Sequence, residues 1–219
     1  FGILPTFTGT AVHDAYSAYY SPTLSADRSD SDEAITMASF GHALCIQHVQ
    51  RELRGITEHD PSAARDGWAA ELDLHIGDLF RWRDHWARQG ADRLPAFKHV
   101  KALARWDELV NRGLTVHPHQ PGRTGGQAHA RRLTVRLNEY RDDYLAWLGD
   151  FTIPPTNNTA EQSVRMIKSK TKVSGGFRTI DGLQRFLQIR GYLDTLRKNG
   201  QDLITGLRDA LNGHAWTPA

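Results

Sequence analysis

The stretch between residues 56 and 150 most limits what this chain can become, because its large apolar residues recur at three- and four-residue steps. Trp68, Leu72, Ile76, Leu79 and Trp82 or Trp86 form one such series. Phe97, Val100, Leu103, Trp106, Leu109 and Val110 form a second, and Leu133, Leu137, Tyr140, Tyr144, Trp147 and Leu148 a third. That spacing places each set on one side of a helix. Three long amphipathic helices must bury their apolar stripes against one another, which requires a largely helical fold. A flexible loop, Pro121-Gly122-Arg123-Thr124-Gly125-Gly126, precedes the third.

Strand signals sit ahead of this block. Thr10-Ala11-Val12-His13 is a short β-prone run that ends at Asp14, leaving an acid at the strand's C-terminal edge. Tyr16, Tyr19 and Tyr20 follow, and then a polar loop over residues 21–32. His42-Ala43-Leu44-Cys45 reads as a second strand and runs into a helix through Ile46 to Leu53. Behind the helical block, Pro154-Pro155 ends one segment, and Asn157, Asn158 or Thr159 can cap the next helix, which holds Glu161 in its first turn. Gly175-Gly176-Phe177 breaks the chain again. Two last helices are expected over roughly residues 181–198 and 201–212, divided by Asn199-Gly200. The fold class is therefore α/β, predominantly α.

Charge is uneven along the chain. The net formal charge is only +2. Residues 56–113 hold ten acids and nine Lys/Arg, a balance that suits solvated helix faces. Residues 161–200 hold nine Lys/Arg and three acids, about +6, which suits a polyanionic partner. A single cysteine, Cys45, rules out an internal disulfide framework and fits a reducing, cytoplasmic compartment. No apolar run approaches a membrane span. The chain opens on Phe1-Gly2-Ile3-Leu4-Pro5 without a methionine or a signal peptide, so it reads as a fragment of a longer protein.

Three groups of residues could carry chemistry. Asp14 and Glu161 are hard oxygen donors from separate elements, as metal-assisted phosphoryl transfer needs, although each could equally be a surface charge or a helix cap. Cys45 and His48 form a Cys-x-x-His pair at a strand-to-helix junction. They are half of a tetrahedral zinc set, with His42 close by, or else a buried small cysteine beside a capping histidine. Arg165, Lys168, Lys170, Lys172 and Arg178 could contact backbone phosphates or simply solvate a helix face. The paired glycines at 125–126 and 175–176 match neither a Walker loop nor a dinucleotide fingerprint.

Taken in order, these segments resemble the transposases of the insertion sequence 66 family over almost the whole chain. The residues from Gly2-Ile3-Leu4-Pro5 through Gly9-Thr10-Ala11-Val12-His13-Asp14 look like the segment that ends in that family's second catalytic aspartate. His42-Ala43-Leu44-Cys45-Ile46-Gln47-His48 with Arg51-Glu52-Leu53 is similar to its Cys-x-x-His element. Asn157-Asn158-Thr159-Ala160-Glu161 looks like the segment bearing the catalytic glutamate. Lys172-Val173-Ser174-Gly175-Gly176-Phe177-Arg178 and the stretch from Ile189 to Lys198 resemble the tail that follows.

The resemblance implies a truncated ribonuclease-H-like core of the retroviral-integrase type with a large α-helical insertion. Residues 1–54 would be part of the core, 55–153 the insertion, and 154–219 core helices with a basic tail. It also implies an Asp-Asp-Glu triad that binds Mg²⁺ or Mn²⁺ and cuts and rejoins DNA in a bacterial mobile element. Asp14 would be the second acid and Glu161 the third, with Asn157, Asn158 and the cationic residues on DNA. Cys45 and His48 would be a second candidate metal pair. Transposon ends and target DNA would be the partners, and a homo-oligomer the active assembly. The first aspartate is expected upstream of Phe1, so the chain alone should be inactive. Thr156 and Gln162 depart from the family's usual Asp and Arg and could weaken metal or DNA binding. The alternatives are a non-catalytic DNA-binding remnant and a helical interaction module that uses the Trp-rich middle.

Overall fold

The computed structural model describes residues 7–20, 40–121 and 128–218. The Gly2–Pro5 motif, the whole polar loop over residues 21–32 and all but the first residue of the loop at 121–126 lie outside the described residues. The described residues are predominantly helical with a small two-stranded sheet. They divide into two units, residues 1–157 and 158–219.

In the first unit, strands β1 (Thr10–His13) and β2 (Gly41–Leu44) pair in parallel, with Thr10 opposite Gly41 and His13 opposite Leu44. Both were legible as β-prone runs. A single 3₁₀ turn, Ser17–Tyr20, follows β1. Helix α1 (Ile46–His59) leaves β2 after one residue and buries Ile46, Val49, Leu53 and Ile56, one stripe at helical spacing. It ends where α2 (Pro61–Asp66) begins. Asp60 caps α2 by accepting from the amides of Ser62 and Ala63, and Pro61 sits at a first-turn position that needs no donor. Gly67, at φ 83°, turns the chain into α3 (Trp68–Arg88) in a conformation that favours glycine.

Helices α3 and α4 (Ala96–Val116) pack side by side, α3 also against α1 and α4 also against α5 (His129–Glu139). Trp68, Trp106 and Trp147 are fully buried at the centre with Leu72, Ile76, Leu109, Leu133 and Leu137. The third apolar series is two helices, not one. The chain breaks at Tyr140 and resumes as α6 (Arg141–Gly149). The break redirects the apolar face: α5 covers α1 and α4, whereas α6 packs against β2 and buries Tyr144, Leu145, Trp147 and Leu148. Steps from Leu137 to Tyr140 to Tyr144 keep helical spacing across the kink, so periodicity does not reveal it.

The second unit contains α7 (Asn158–Ser174), α8 (Ile180–Lys198) and α9 (Leu203–Leu211). Gly175 and Gly176, at φ 72° and 101°, separate α7 from α8 as their sequence suggests. Thr179 caps α8 through the Gly182 amide, and Asp202 caps α9 through the Thr205 amide. Leu196 of α8 is buried against α9, which approaches so closely at Gly206 that an added Cβ would lie 2.5 Å from Leu196 Cδ1. The Tyr192 hydroxyl closes this pair by donating to Gly206 O (3.1 Å) and accepting from the Trp216 amide (3.0 Å).

Candidate catalytic and metal-binding site

Asp14 leaves the C-terminal end of β1 and is exposed. The residues beside it are constrained. His13 is 2 % exposed, and Ala15 takes a left-handed φ of 62°. That conformation costs a non-glycine residue about 1–2 kcal/mol and persists only where its surroundings enforce it.

Cys45 is the knot of the first unit. Its amide donates to His13 O (2.8 Å), fastening the residue before Asp14 to the start of α1. Its Sγ accepts from the Asn157 amide (3.4 Å), and the Ile46 amide, a helix-start donor with no partner inside α1, reaches Pro155 O (3.0 Å). Three remote pieces of sequence, around residues 13, 45 and 156, are thereby joined through backbone groups. Cys45 is buried, and a ring nitrogen of His48 comes within 4.8 Å of its sulfur. The Cys45 side chain makes no capping bond to α1. Asn157 does not cap α7 with its side chain either: its Oδ1 is buried and finds no hydrogen-bond partner among the described residues.

A cluster that the sequence reading passed over packs behind Asp14. His13 Nε2 and His42 Nδ1 share a hydrogen bond of 3.1 Å. Tyr19 stacks on His13 with centroids 4.2 Å apart, and Tyr20 stacks on His42 at 4.4 Å and leans on Tyr140 at 4.6 Å. The Tyr20 hydroxyl donates to Asp143 Oδ2 at 2.7 Å. Burial, and then the neighbouring His42, push the His13 imidazole down to about 4. Burial and the bond to Asp143 push the Tyr20 phenol upward. The signal was present in the sequence, as a histidine directly before Asp14 and tyrosines directly after it.

In the second unit Glu161 occupies the first turn of α7, where the helix dipole favours a carboxylate. At helical spacing Glu161, Arg165, Lys168 and Lys172 fall within an arc of about 60°, and the three cations are exposed. Lys170 stands on the other side of the helix, its ammonium 5.1 Å from the Phe177 ring centre and 5.9 Å from that of Phe186. Arg178 is exposed in the turn that follows. Of the tryptophans in the helical middle, Trp68, Trp106 and Trp147 belong to the core, which removes them from any partner surface.

The donors fit two different ions. Asp14, Glu161 and the orphaned Asn157 Oδ1 are hard oxygens of the kind Mg²⁺ and Mn²⁺ take. Cys45 and His48 are a soft sulfur and an imidazole, a pair that suits zinc and not magnesium.

The family model described as Transposase IS66 family matches residues 2–185. The uncharacterized protein y4jO of Sinorhizobium fredii is 28 % identical over 194 residues, covering 86 % of this chain and 54 % of the relative. The chain thus spans about half the length of that curated relative. No solved structure matches it significantly. Among the described residues, no helix is long and apolar enough to cross a membrane.

Proposed function

This chain belongs to the IS66 transposase family, and from that premise we propose that it forms the C-terminal part of a catalytic domain that cuts and rejoins DNA. The observation that carries this reading is the family match over residues 2–185, which takes in both Asp14 and Glu161. In the proposed site the Asp14 and Glu161 carboxylates hold a divalent cation together with an aspartate upstream of Phe1. The sheet to which β1 and β2 belong is the ribonuclease-H-like core, and residues 55–153 are its helical insertion. A bound Mg²⁺ or Mn²⁺ supplies Lewis acidity and favours the deprotonated form of the attacking water.

The chain's own residues have distinct tasks. Asp14, at the end of a strand, and Glu161, in the first turn of a helix, would hold the cation, whose positive charge would orient the reacting phosphodiester for in-line attack. Arg165, Lys168 and Lys172 hold backbone phosphates beside Glu161, with Lys170, Arg178, Asn157 and Asn158 extending that contact, largely without reading sequence. Water would be the first nucleophile and the freed 3′-hydroxyl of the transposon end the second. We place this activity in the cytoplasm, in a homo-oligomer on transposon ends and target DNA.

A strand-transfer assay with Mg²⁺ or Mn²⁺ tests the reading. Chain extended upstream should be active and Glu161→Gln inactive, and the 219-residue chain should be inactive alone. Activity of the extended protein that survives Glu161→Gln would overturn it. Thr156 and Gln162, which depart from the family pattern, favour a second reading, a DNA-binding remnant without catalysis. Salt-sensitive DNA binding by the extended protein, with no cleavage under either cation, would establish that one.

A further inference from the structure

Asp14 needs a fixed direction to serve as a ligand, yet it is exposed and stands on a short turn. The backbone around it is held at three points. The His13 carbonyl accepts from the Cys45 amide, which fixes the turn's entry. Ala15 then reverses the chain at φ 62°, a conformation an alanine does not hold unaided. The 3₁₀ turn Ser17–Tyr20 brings Tyr19 and Tyr20 back over the histidines of the sheet.

Tyr20 is the far anchor. Its ring lies between His42 (4.4 Å) and Tyr140 (4.6 Å) and meets His13 edge-on at 5.5 Å, while its hydroxyl reaches Asp143 in the first turn of α6. It therefore ties the segment after Asp14 to both the sheet and the helical layer. His13 Nε2 and His42 Nδ1 complete the packing beneath it, and His13 Nδ1 is buried with no partner among the described residues. Anchoring the chain on both sides of the strained Ala15 is what keeps an unfavourable turn in one conformation.

We propose that Tyr20, anchored by Asp143, is a positioning residue that holds the Asp14 turn in its metal-receiving conformation. Tyr20 touches neither substrate nor ion in this role. It acts on the direction of the Asp14 carboxylate, much as partners behind a metal ligand set that ligand's orientation. The proposal rests on the reading of Asp14 as a metal ligand.

The test uses the upstream-extended protein and four variants: Tyr20→Phe, Asp143→Ala, Asp143→Asn and Asp14→Asn. Tyr20→Phe keeps the ring packing and removes only the hydroxyl, so the fold is retained. Asp143→Asn keeps an oxygen acceptor for the tyrosine. Hydrogen exchange at the Cys45 and Tyr19 amides, which donate to His13 O and Tyr16 O on either side of Asp14, decides whether the clamp exists. Tyr20→Phe and Asp143→Ala should speed it about fivefold or more, the opening expected from one lost hydrogen bond, and Asp143→Asn should stay near wild type. Unchanged exchange in Tyr20→Phe and Asp143→Ala overturns the proposal. Mn²⁺ titration followed by water-proton relaxation decides what the clamp does. Tyr20→Phe and Asp143→Ala should weaken Mn²⁺ binding about tenfold, with Asp143→Asn rescuing it. If Asp14→Asn abolishes Mn²⁺ binding while Tyr20→Phe leaves it intact, the positioning role is refuted and the metal reading stands. If Asp14→Asn leaves Mn²⁺ binding unchanged, or the upstream-extended wild-type protein binds none, the metal reading fails and the positioning role falls with it.

Discussion

Gly113 offers a sharp test of the helical packing. It lies inside α4, where glycine costs a helix about 1 kcal/mol relative to alanine, so on propensity alone Gly113→Ala should stabilise the protein. The surroundings reverse that sign. A Cβ at residue 113 would sit 2.5 Å from Thr134 Cγ2 and 3.0 Å from Trp68 Cδ2 and Cε3, where about 3.5–4.0 Å is comfortable. Both neighbours are fully buried. Thr134 cannot swing its methyl aside freely, because its hydroxyl donates to the carbonyls of Ala130 and Arg131, both at 3.0 Å. Overpacking of this kind costs about 1–3 kcal/mol and straining the threonine's bonds about 1 more, so a net loss of about 1–3 kcal/mol remains. Gly55 is the control. It lies inside α1 with nothing within 4 Å of its added Cβ, and Gly55→Ala should gain about 0.5–1 kcal/mol. Urea unfolding followed by far-ultraviolet circular dichroism should separate the two variants by about 1 M in midpoint. Thr134→Ser in the Gly113→Ala background removes the obstructing methyl and should recover much of the loss. A Gly113→Ala midpoint at or above wild type would refute the close approach of α4 to α3 and α5.

Three further outcomes follow from the same structure. The His13 pKa falls from 6.5 to about 4 on folding, so between those values the unfolded chain binds a proton that the folded chain does not. Stability therefore falls as pH drops through this window, by up to about 3 kcal/mol, and urea midpoints of His13→Gln should depend less on pH than those of wild type. Trp106→Ala should cost about 3–5 kcal/mol because that side chain is fully buried, against less than about 1 for the partly exposed Trp86, measured by the same unfolding. In DNA binding measured against salt, Lys168→Ala should flatten the log–log slope by about 0.9, and Lys170→Ala should flatten it less because that ammonium sits over Phe177 and Phe186. Equal effects would contradict the division of α7 into a cationic face and an aromatic-facing one.

Much of this fold was readable where one physical signal dominated. Strand β1 and the run from His42 to Leu44 are short apolar segments bounded by polar residues, and α3, α4, α8 and α9 follow either helical spacing or glycine punctuation. Helix α2 went unread although Asp60-Pro61 is a standard opening, because six residues carry too little periodicity to register. The break at Tyr140 was hidden for the opposite reason, since spacing survived the kink. The site divides similarly. Asp14 and Glu161 were conspicuous as acids at the ends of elements. The clamp behind Asp14 depends on Asp143, which is 123 residues away from Tyr20, and no local pattern announces a contact of that range. Cys45 gained a role that spacing could not give it, because its amide and sulfur serve the backbone of residues 13 and 157.

The central claim is that Asp14 and Glu161 hold one divalent ion, and electron paramagnetic resonance of Mn²⁺ bound to an upstream-extended protein tests it most directly. Asp14→Asn and Glu161→Gln should each abolish the same bound-Mn²⁺ signal, while Lys168→Ala should leave it intact. A signal that persists through either carboxylate substitution would contradict the account.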